Sequence, residues 1–487
     1  MKFSPGNEGI GNGDCLDRVA FLFRFFWCPG KGGNRGDCWG EFYAIKCCDL
    51  FSELATVLHH TDMMNEQTDR RNFLQKSLLG TTGLTGIGAS ITSTGSVTAE
   101  TVSQAAEGEI RDEVDVLVVG GGTAGHVAAI QAGRNGAKTL LVERGAQLGG
   151  MTTTGGVSFP GLFDAWGKQV IAGIGWELVK EAVELDGGKL PNFAKVPQRH
   201  WMNQVYVNQF LYAILAEERC EQAGVAIAYH EFPASVEKTT GGWQVDCVGF
   251  GTRRHVICKQ IIDCTGGAEV VGMMGFARLR EEETQPGSML FQLGEANNPG
   301  RHQLHRLYVH GADSSNSRTV TKANMTGRKS VLAKLRKEKK RLMHLQPEAG
   351  FRESYRIEGE TIITVNDYTS GRVFEDAVSN AFYPVDLHTK NGVKPKPLKR
   401  GKVPTIPLRA LVPKGSENVI VAGRCVSSDR LANSGLRVQA SCMGMGQAAG
   451  AAASLAAKKQ TTPLKVPLAE IHALLREHGA IVPGKKS

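Results

Sequence analysis

A Gly-rich turn between two apolar segments is the feature that most constrains the fold of this chain. The turn contains Gly120, Gly122 and Gly125; it follows the mostly apolar run 114–119 and precedes an Ala-rich segment and a second apolar run ending at Glu143. This order predicts a strand, a phosphate-binding turn, a helix and a second strand, with the N–H groups of the helix N-terminus facing a bound pyrophosphate. Gly120 permits the tight turn, Gly122 the approach of the pyrophosphate, and Gly125 the packing of the helix on the strand. Glu143, eighteen residues after Gly125, is placed to accept a hydrogen bond from a ribose hydroxyl.

The segment after Glu143 indicates which dinucleotide binds. Arg144 is followed by a second Gly-rich run that contains Gly149, Gly150 and Met151. This arrangement resembles the extended signature of FAD-binding two-domain flavoproteins, whose glycines pass close to the flavin. A carboxylate at the ribose also disfavours NADP, for which an Arg beside the 2′-phosphate is typical. We therefore predict FAD as the cofactor.

Composition places the chain among ordinary globular proteins. Its 487 residues are 41% hydrophobic and 22% charged, which is enough to bury two cores. The net charge of +9 is modest, and much of the excess lies within residues 322–341, where basic residues surround Val331, Leu332, Leu335 and Leu342. That spacing predicts an amphipathic helix with a solvated basic face; the alternative is a surface for an acidic substrate or partner. The sequence contains no helix-turn-helix, zinc-finger or aromatic-studded strand pattern, so no nucleic-acid partner is expected.

The cysteines that follow the Gly-rich turn are scattered. They are Cys220, Cys247, Cys258, Cys264, Cys425 and Cys442. No CxxC or CxxxxC spacing occurs among them, so neither a redox-active disulfide beside the flavin nor a ligand set for a metal or iron–sulfur cluster is predicted. We expect most of them to be small buried hydrophobic residues.

Residues 63–99 resemble a twin-arginine export signal. Arg70 and Arg71 precede a weakly apolar Gly/Thr-rich run at 77–96 and a small-residue cleavage site at 97–99. The run is too polar to cross a membrane, so we expect the mature protein to have no membrane span. The twin-arginine machinery carries proteins already folded around their cofactor, so we expect export to the periplasm by that machinery. The alternative is a flexible N-terminal tail.

Residues 1–62 precede that signal. They hold five of the eleven cysteines of the chain and show no clear periodicity. Because an export signal lies at the N-terminus of a protein, we interpret residues 1–62 as a misassigned upstream leader, with the true start at Met63 or Met64. The alternative is a genuine cysteine-rich appendage, although no zinc-type CxxC pair occurs in it.

After Met151 the sequence predicts an α/β fold. The expected elements are helices at 168–185 and 204–223, a strand at 225–232, a hairpin formed by 236–237 and 243–248, and a strand at 255–264. The last strand runs into the turn Thr265-Gly266, which is expected to pack beside the dinucleotide, and Pro233 is expected near the adenine. We therefore predict a Rossmann-like FAD-binding domain of the glutathione-reductase type, in which a βαβ unit is combined with a β-meander.

A second, α+β substrate domain is predicted to interrupt this fold. Between residues 268 and 412, Pro and charged residues punctuate short strands such as 289–293 and 361–365. The FAD-binding fold then returns with a strand at 417–424, and Arg437 opens a small-residue helix whose N-terminus faces the flavin. The predicted limits are 112–267 for the FAD-binding domain, with a helical insertion at about 160–203, then 268–412 for the substrate domain, 413–460 for the returning part and 461–487 for a tail.

Further segments carry a specific family resemblance. They are residues 262–269, 350–360, 383–388 and the stretch from 422–430 through 447–450. Together they resemble the bacterial FAD-dependent oxidoreductase family, which is distantly related to the flavoproteins of fumarate reductase and of heterodisulfide reductase. The resemblance covers residues 112–458 and implies the fold and the cofactor, while it leaves the substrate open. Gly267 and Glu269 stand where the family usually has Asp, so no acid role is implied there.

The expected flavin chemistry indicates candidate residues for cofactor binding and for catalysis. The candidates for cofactor binding are Gly120, Gly122, Gly125, Glu143, Arg144, Gly149, Gly150, Met151, Pro233, Thr265, Gly266, Gly423, Arg424 and Arg437. Arg437 is also the candidate for stabilising negative charge on the flavin, His388 is the candidate base and Arg352 the candidate clamp for a carboxylate or sugar oxygen. The structural alternatives are that Arg352 pairs with an acid such as Glu358 and that His388 caps a turn after residues 384–386.

Three functional hypotheses follow. The first is an exported FAD-dependent oxidoreductase that transfers a hydride between flavin and a small polar substrate, such as a sugar or hydroxy acid, and passes the electrons to an acceptor of unknown identity. The second is an electron-transfer flavoprotein that docks a protein partner on the basic face within residues 334–341. The third is a flavin-binding protein without turnover.

Overall fold

The described part of the chain is built around a central β-sheet, whose longest strands are Gly108–Val119 and Thr252–Asp263. The structure is a computed structural model that describes residues 108–484, apart from residues 296–297, 339, 391 and 394. The predicted leader at 1–62 and the predicted export signal at 63–99 lie outside the described residues. Among the described residues, no helix is both long enough and apolar enough to cross a membrane.

The first part of the fold contains the dinucleotide-binding unit and the meander. Its elements are β1 (Gly108–Val119), α1 (Gly125–Arg134), β2 (Thr139–Glu143), β3 (Asp164–Ala165), β4 (Lys168–Gln169), α2 (Ile174–Leu185), a 3₁₀ helix (His200–Asn203), α3 (Gln209–Gln222), β5 (Val225–Tyr229), β6 (Phe232–Lys238), β7 (Trp243–Gly249) and β8 (Thr252–Asp263). The predicted strand at 225–232 is two strands, because His230 adopts a positive φ of 57° and breaks the extended chain between them. The predicted hairpin is confirmed by the antiparallel pairing of β6 with β7.

The second part contains the predicted substrate domain at 268–412, here called the cap, and the strand that returns to the central sheet. Its elements are α4 (Glu269–Met273), β9 (Arg278–Leu279), β10 (Gly287–Glu295), β11 (Asn298–Val309), α5 (Ser317–Glu338), β12 (Arg341–Leu345), β13 (Arg356–Ile357), α6 (Val365–Ser370), β14 (Ala377–Asn380), β15 (His388–Thr389), β16 (Gly392–Val393), β17 (Thr405–Pro407), a 3₁₀ helix (Leu408–Ala410), β18 (Val419–Val421), α7 (Arg430–Leu436), α8 (Gln439–Lys458), a 3₁₀ helix (Pro463–Lys465) and α9 (Leu468–Glu477). Within the predicted tail, α9 packs into the main core through Ile471 and Leu475.

Strand β8 holds two kinds of sheet together. Parallel pairing runs from β5 through β2 and β1 to β8, and β18 adds a further parallel strand beside the end of β8. On the edge that faces away from β1, the first half of β8 pairs antiparallel with β7, and β7 pairs with β6. This sheet, with helices packed on it, confirms the predicted α/β class with a βαβ unit and a β-meander.

The carboxyl ends of β1, β8 and β18 lie side by side. Val119 and Val421 are both in register with Asp263. The residues that follow these strand ends are therefore brought to one edge of the sheet, which is where open α/β sheets bind their ligands. The predicted Gly120, Thr265 and Gly423 all lie just beyond these ends.

Helices α1 and α8 cross in close contact on one face of the sheet. A Cβ atom on Gly446 would overlap the carbonyl oxygen of Ala124, and one on Gly450 would overlap that of Ala128. The small residues of α8 thus allow the backbones of the two helices to approach each other beneath the phosphate turn. Almost every residue of α8 is buried, so the helix forms the centre of the main hydrophobic core.

Three predicted helix boundaries are corrected by the structure. Helix α2 begins at Ile174 and not at residue 168, because Lys168–Gln169 form the short strand β4. Helix α3 begins at Gln209, because the side chain of Asn208 accepts hydrogen bonds from the N–H groups of Phe210 and Leu211 and caps it there. Arg437 does not open a helix: it follows the last residue of α7, and α8 begins at Gln439 after an extended residue at Val438.

The cap contains the sheet β11-β10-β12 with α5 packed on it. Met289, Phe291, Val309 and Val331 form its core, which confirms the predicted strand at 289–293 and the predicted amphipathic basic helix. Leu342, assigned to that helix from the sequence, lies instead in strand β12.

The predicted strand at 361–365 is wrong. The N–H of Asp367 donates to the hydroxyl of Thr364 at 3.1 Å, and this contact caps a helix that starts at Val365. Only Ile363 retains an extended contact, an isolated bridge to Ser428. Local polar capping therefore outweighs the β-propensity of the apolar residues in this segment.

Candidate functional site

The phosphate turn has glycines for two different reasons. Gly120 has a φ of +96°, and a Cβ atom there would lie 2.6 Å from the carbonyl oxygen of Cys264. A Cβ atom on Gly125 would overlap the carbonyl oxygen of Gly120. Gly122 differs, because a Cβ atom there would meet only the Cα atom of Gly150, at 4.0 Å. Protein packing therefore requires Gly120 and Gly125, whereas Gly122 faces the open space that a pyrophosphate would fill.

Glu143 is fixed by two backbone N–H groups. Gly121 N donates to its Oε2 atom and Gly145 N to its Oε1 atom, both at 2.6 Å. Burial raises the pKa of this carboxyl, and the two N–H donors oppose that rise. The carboxylate is held at the end of β2, where a ribose hydroxyl can donate to it.

A cavity of about 360 Å³ joins the phosphate turn to the start of α8. The predicted cofactor residues that line it are Gly120, Gly122, Glu143, Arg144, Gly150, Met151, Thr265, Gly266, Gly423, Arg424 and Arg437. Sequence reasoning missed Glu348, Gln439 and Cys442, which also line it. Gln439 carries a recognisable signal, because it is the first residue of the small-residue helix.

Three predicted cofactor residues support the cavity from outside its lining. Gly125 lies in the contact between α1 and the phosphate turn. Gly149 forms a bridge with Gly122, and its N–H donates to the carbonyl of Gly121. Pro233 pairs with Cys247 inside the meander, and its neighbour Phe232 lines the cavity instead.

The turn at Thr265-Gly266 is held by the buried Asp263 and the half-buried Arg424. Asp263 accepts hydrogen bonds from the N–H and hydroxyl of Thr265 and from the N–H of Val271. Burial raises the pKa of Asp263 to about 6. On the cavity side, Arg424 Nε donates to the carbonyl of Gly266 at 2.7 Å.

Arg424 brings positive charge to the cofactor cavity. Its other donors reach the carbonyl of Phe351 at 2.8 Å and the hydroxyl of Ser314 at 3.1 Å. Burial lowers the pKa of its guanidinium, and it forms no ion pair with a carboxylate of the described residues. The charge of Glu269 acts on Arg424 from nearby, but a guanidinium without a direct ion pair still favours an anion in the adjacent cavity, which is what the phosphates of a dinucleotide supply.

These features fit FAD. Gly122 leaves room for the pyrophosphate, Glu143 is positioned for a ribose hydroxyl, and Arg424 supplies unpaired charge. The first turn of α8 lines the opposite end of the cavity through Gln439 and Cys442. The cavity thus provides a contact for each polar part of a dinucleotide and an apolar wall beyond them.

A cluster of charged groups lies at the substrate side. Arg437 Nη2 donates to the carbonyl of Asp386 at 3.3 Å and lies 3.8 Å from its Oδ2 atom. The same Oδ2 atom lies 3.1 Å from His388 Nε2, and His388 Nδ1 lies 3.2 Å from the hydroxyl of Tyr308. Arg352 lies with its guanidinium carbon 5.5 Å from the centre of the Tyr308 ring. The three predicted catalytic residues, His388, Arg352 and Arg437, are therefore brought together, along with two residues that sequence reasoning did not assign.

The surroundings of this cluster shift its pKa values. Burial and the charges of Arg352 and Arg437 lower the pKa of His388, against the raising effect of Asp386. Burial alone would raise the pKa of Asp386, but the hydrogen bond from His388 and the charge of Arg437 outweigh it and lower that pKa. His388 is therefore neutral at neutral pH, which is the form that accepts a proton.

The contacts of Arg352 and His388 bear on their structural alternatives. Glu358 pairs with Lys414 at 3.6 Å and forms no ion pair with Arg352 among the described residues. Arg352 instead donates to the carbonyl of Pro286 and, at 2.9 Å, to the hydroxyl of Ser288. His388 begins the short strand β15, and its ring is held by Asp386 and Tyr308.

Cysteine and metal chemistry find little support within the described residues. The six cysteines there are buried and unbonded, as the sequence predicted. Burial raises the pKa of Cys442 to about 12, so this thiol beside the cofactor cavity stays protonated. Within residues 108–484, where described, no group of three or more His, Cys, Asp or Glu side chains could hold a metal ion.

The fold and the cavity define a flavoprotein of the dinucleotide-binding α/β type. The chain belongs to the FAD dependent oxidoreductase family, whose profile matches residues 115–337 and 329–475. Membership of this family makes FAD the cofactor of the chain.

Curated relatives match short parts of the chain. A pseudooxynicotine dehydrogenase of Pseudomonas sp is 37% identical over 95 residues, which is 19% of this chain and 19% of that protein. A nicotine dehydrogenase of Pseudomonas putida is 40% identical over 90 residues, 18% of each chain. A thiamine thiazole synthase of Methanococcus vannielii is 48% identical over 50 residues, 10% of this chain and 19% of that one. The chain thus spans about a fifth of the length of these relatives.

Solved flavoprotein structures are similar over a larger share of the chain. The anhydrotetracycline hydroxylase OxyS of Streptomyces rimosus is 13% identical, with a TM-score of 0.42 and coverage of 75% of this chain and 66% of that one. A geranylgeranyl bacteriochlorophyll reductase-like protein of Thermoplasma acidophilum is 12% identical, with a TM-score of 0.39 and coverage of 75% and 84%.

Proposed function

We propose that this enzyme oxidises a small polar substrate, such as a hydroxy acid or sugar, at a carbon that bears a hydroxyl or amino group. One observation carries the proposal. Arg437 lines the cofactor cavity and also contacts Asp386, which in turn holds His388. A charged substrate-binding group and a neutral base therefore lie next to the space for the cofactor. Bound FAD supplies the hydride acceptor.

His388 acts as the base through its Nδ1 atom. Asp386 accepts a hydrogen bond from the Nε2–H group and so fixes the tautomer in which Nδ1 carries a free lone pair. Nδ1 lies 3.2 Å from the hydroxyl of Tyr308, so that hydroxyl donates to it. A proton leaving the substrate passes to the Tyr308 oxygen while the Tyr308 proton moves to His388. Arg352, beside the Tyr308 ring, orients the substrate against this pair.

The resemblance to the bacterial FAD-dependent oxidoreductase family supports redox chemistry. Part of that resemblance lies in 350–360 and 383–388, the segments that supply Arg352, Asp386 and His388. A distant kinship of the family with the flavoproteins of fumarate reductase and of heterodisulfide reductase is part of this proposal.

Anaerobic bleaching of the flavin tests the proposal. Purified FAD-loaded protein is mixed with hydroxy acids, amino acids, sugars and amines, and the flavin absorbance is followed. Reduction by a member of one class, with a rate that depends on His388, is the expected result. Failure of every donor class would remove the function. Reduction only by a protein partner, with strong salt dependence, would favour the electron-transfer hypothesis.

We also propose that the protein is exported to the periplasm by the twin-arginine machinery. The pair Arg70-Arg71, the weakly apolar run and the small residues at 97–99 support this proposal. The expected mature N-terminus is Glu100. Intact mass of protein recovered from the periplasm measures it, with Arg70→Lys/Arg71→Lys as the variant that should stay in the cytoplasm. A mature periplasmic species that retained Cys15 would contradict the proposal.

A further inference from the structure

We infer that the substrate of this site carries a single carboxylate, which the guanidinium groups of Arg352 and Arg437 hold. The inference rests on the proposed function, because it assigns a substrate class to the same site. It follows from how charge is distributed around Asp386 and His388.

Arg352 is a half-buried cation without a direct ion pair among the described residues. Its donors reach the carbonyl of Pro286 and the hydroxyl of Ser288, both uncharged. It forms no ion pair with a carboxylate of that part of the chain. A largely desolvated charge of this kind costs free energy unless a counter-ion reaches it.

Arg437 has an unused donor at the same place. Its side chain is 14% exposed, and its Nε atom is buried with no hydrogen-bond partner among the described residues. The acidic contact that it makes there is with Asp386, at 3.8 Å, which is longer than a direct hydrogen bond. An oxygen supplied by a ligand would satisfy a donor that the protein leaves unpaired.

Asp386 cannot neutralise both arginines. It already accepts from His388, which is neutral at neutral pH, so Arg352, Arg437 and Asp386 sum to one excess positive charge. Arg306 also acts on Arg352, but it is exposed, so solvent screens its charge. Burial and the nearby charge of Arg437 lower the pKa of the Arg352 guanidinium to about 9, which still leaves it charged at neutral pH. The two cations therefore repel each other inside the site, and a bound anion removes that repulsion.

The excess of one charge selects a monoanion. A carboxylate supplies one negative charge and two oxygens, which match the paired donors of a guanidinium. A phosphate dianion would overcompensate the charge and bring its own repulsion with Asp386. A neutral sugar would leave the cations unpaired. The substrate class that fits is a small hydroxy or amino monocarboxylate.

Binding of a redox-inert pair of probes tests this. Propionate and propionamide differ in charge but have nearly the same shape, and neither carries a hydroxyl or amino group on the carbon to be oxidised. Affinity for FAD-loaded protein is measured by flavin difference spectra and by the shift in Tm at pH 7. We expect propionate to bind about tenfold or more tightly than propionamide, since charge-assisted hydrogen bonds distinguish them. Sulfate, a dianion at this pH, is expected to bind more weakly than propionate.

Two variants locate the binding site. Arg352→Gln should weaken propionate binding about tenfold or more and leave propionamide unchanged. Arg306→Gln is the matched control: Arg306 also lies over the Tyr308 ring, at 4.9 Å, but is exposed, so its loss should change affinity by less than about threefold because solvent screens its charge. Retained flavin absorbance shows that each variant is folded.

The possible outcomes separate the inference from the proposed function. Equal affinity of wild-type protein for propionate and propionamide would overturn the inference without any variant. So would tighter binding of sulfate than of propionate, or no effect of Arg352→Gln. If a neutral donor reduces the flavin and propionate does not bind, the oxidoreductase function stands and the inference fails. If propionate binds through Arg352 and no donor reduces the flavin, the inference stands and the proposed function fails.

Discussion

Asp386 Oδ2 lies 3.1 Å from His388 Nε2. The segment that contains both residues lies against Tyr308 of strand β11. The carboxylate fixes which ring nitrogen carries the proton, and the other nitrogen accepts from the hydroxyl of Tyr308 at 3.2 Å. An acid, an imidazole and a hydroxyl are thus connected in one chain of hydrogen bonds. The order is the one by which a base is oriented and its conjugate acid is stabilised.

Loss of this base should slow the reaction while leaving the cofactor in place. His388→Ala is expected to reduce the rate of flavin reduction about 100-fold or more, because general base catalysis contributes on that scale. Flavin content should not change, since His388 is absent from the lining of the cofactor cavity. Anaerobic stopped-flow bleaching measures the rate.

His310→Ala is the matched control for that substitution. His310 follows Tyr308 by two residues, with its ring centre 6.3 Å from that of Tyr308, and it has no contact with Asp386 among the described residues. Its loss should leave the rate within about twofold, because surface substitutions have small effects. Equal rates in wild-type protein and His388→Ala would return His388 to a structural role.

The pH profile should report the lowered pKa of His388. Burial, Arg352 and Arg437 lower this pKa, so neutral His388 persists below the usual value of about 6.5. As pH falls through the shifted pKa, His388 gains a proton and kcat/KM should decline. Asp386→Asn removes the group that raises this pKa, so the acid limb should move to still lower pH while the plateau rate falls. An acid limb above pH 6.5, or one unchanged in His388→Gln, would contradict the assignment.

The sequence predicted the cofactor cavity better than the catalytic cluster because the two are built differently. Gly120, Gly122 and Glu143 act within one contiguous βαβ unit, so their spacing along the chain carries their spatial roles. Tyr308 and Asp386 are 78 residues apart and meet only because the cap places β11 against the segment before β15. Asp386, two residues before the predicted base, was a local signal that could have been used.

Helix boundaries were predicted less well than helix existence for a related reason. Val205 and Val207 have helical spacing with the residues of α3, but both are buried in extended chain before the cap at Asn208. The helix predicted to open at Arg437 begins two residues later, and Arg437 is thereby released to reach Asp386. Hydrophobic periodicity predicts that a helix exists, but it does not show at which residue a polar side chain caps that helix.

A substitution in the phosphate turn should distinguish a glycine that faces the cofactor from one that protein packing requires. Gly122→Val is expected to abolish FAD retention, because its side chain would enter the cofactor cavity, while the apoprotein still folds since no protein atom lies closer than 4.0 Å to a Cβ there. Gly241→Val is the control: a Cβ at Gly241, in the turn between β6 and β7, meets nothing within 4 Å. Flavin absorbance per protein and circular dichroism measure the two effects. Full flavin occupancy in Gly122→Val would show that the cavity holds another ligand.

Glu143 should contribute to the free energy of FAD binding, and this contribution can be measured separately from its effect on folding. Glu143→Ala removes an acceptor for the ribose and should weaken FAD binding by about 1.5–3 kcal/mol, as expected for a charge-assisted hydrogen bond. It also leaves the N–H groups of Gly121 and Gly145 without their acceptor. Glu143→Gln keeps one acceptor oxygen and should show a smaller loss. Unchanged FAD affinity in both variants would contradict the ribose assignment.

Arg352→Lys should chiefly change substrate binding. A point charge replaces the planar fork that reaches Ser288 and faces Tyr308, so KM should rise while kcat changes less. Steady-state kinetics with the donor found by bleaching measure both constants. A fall in kcat with unchanged KM would show instead that Arg352 acts in the transition state alone.

The crossing of α1 and α8 should limit both stability and cofactor binding. Gly446→Ala places a methyl group against the carbonyl oxygen of Ala124, immediately beyond the phosphate turn, so the helices must move apart. Such overpacking costs about 1–3 kcal/mol, and Tm should fall together with FAD content because Ala124 lines the cofactor cavity. Gly241→Ala, the same change at an open position, should leave both unchanged. A Gly446→Ala protein with wild-type Tm would mean that the two helices do not approach as closely as this packing requires.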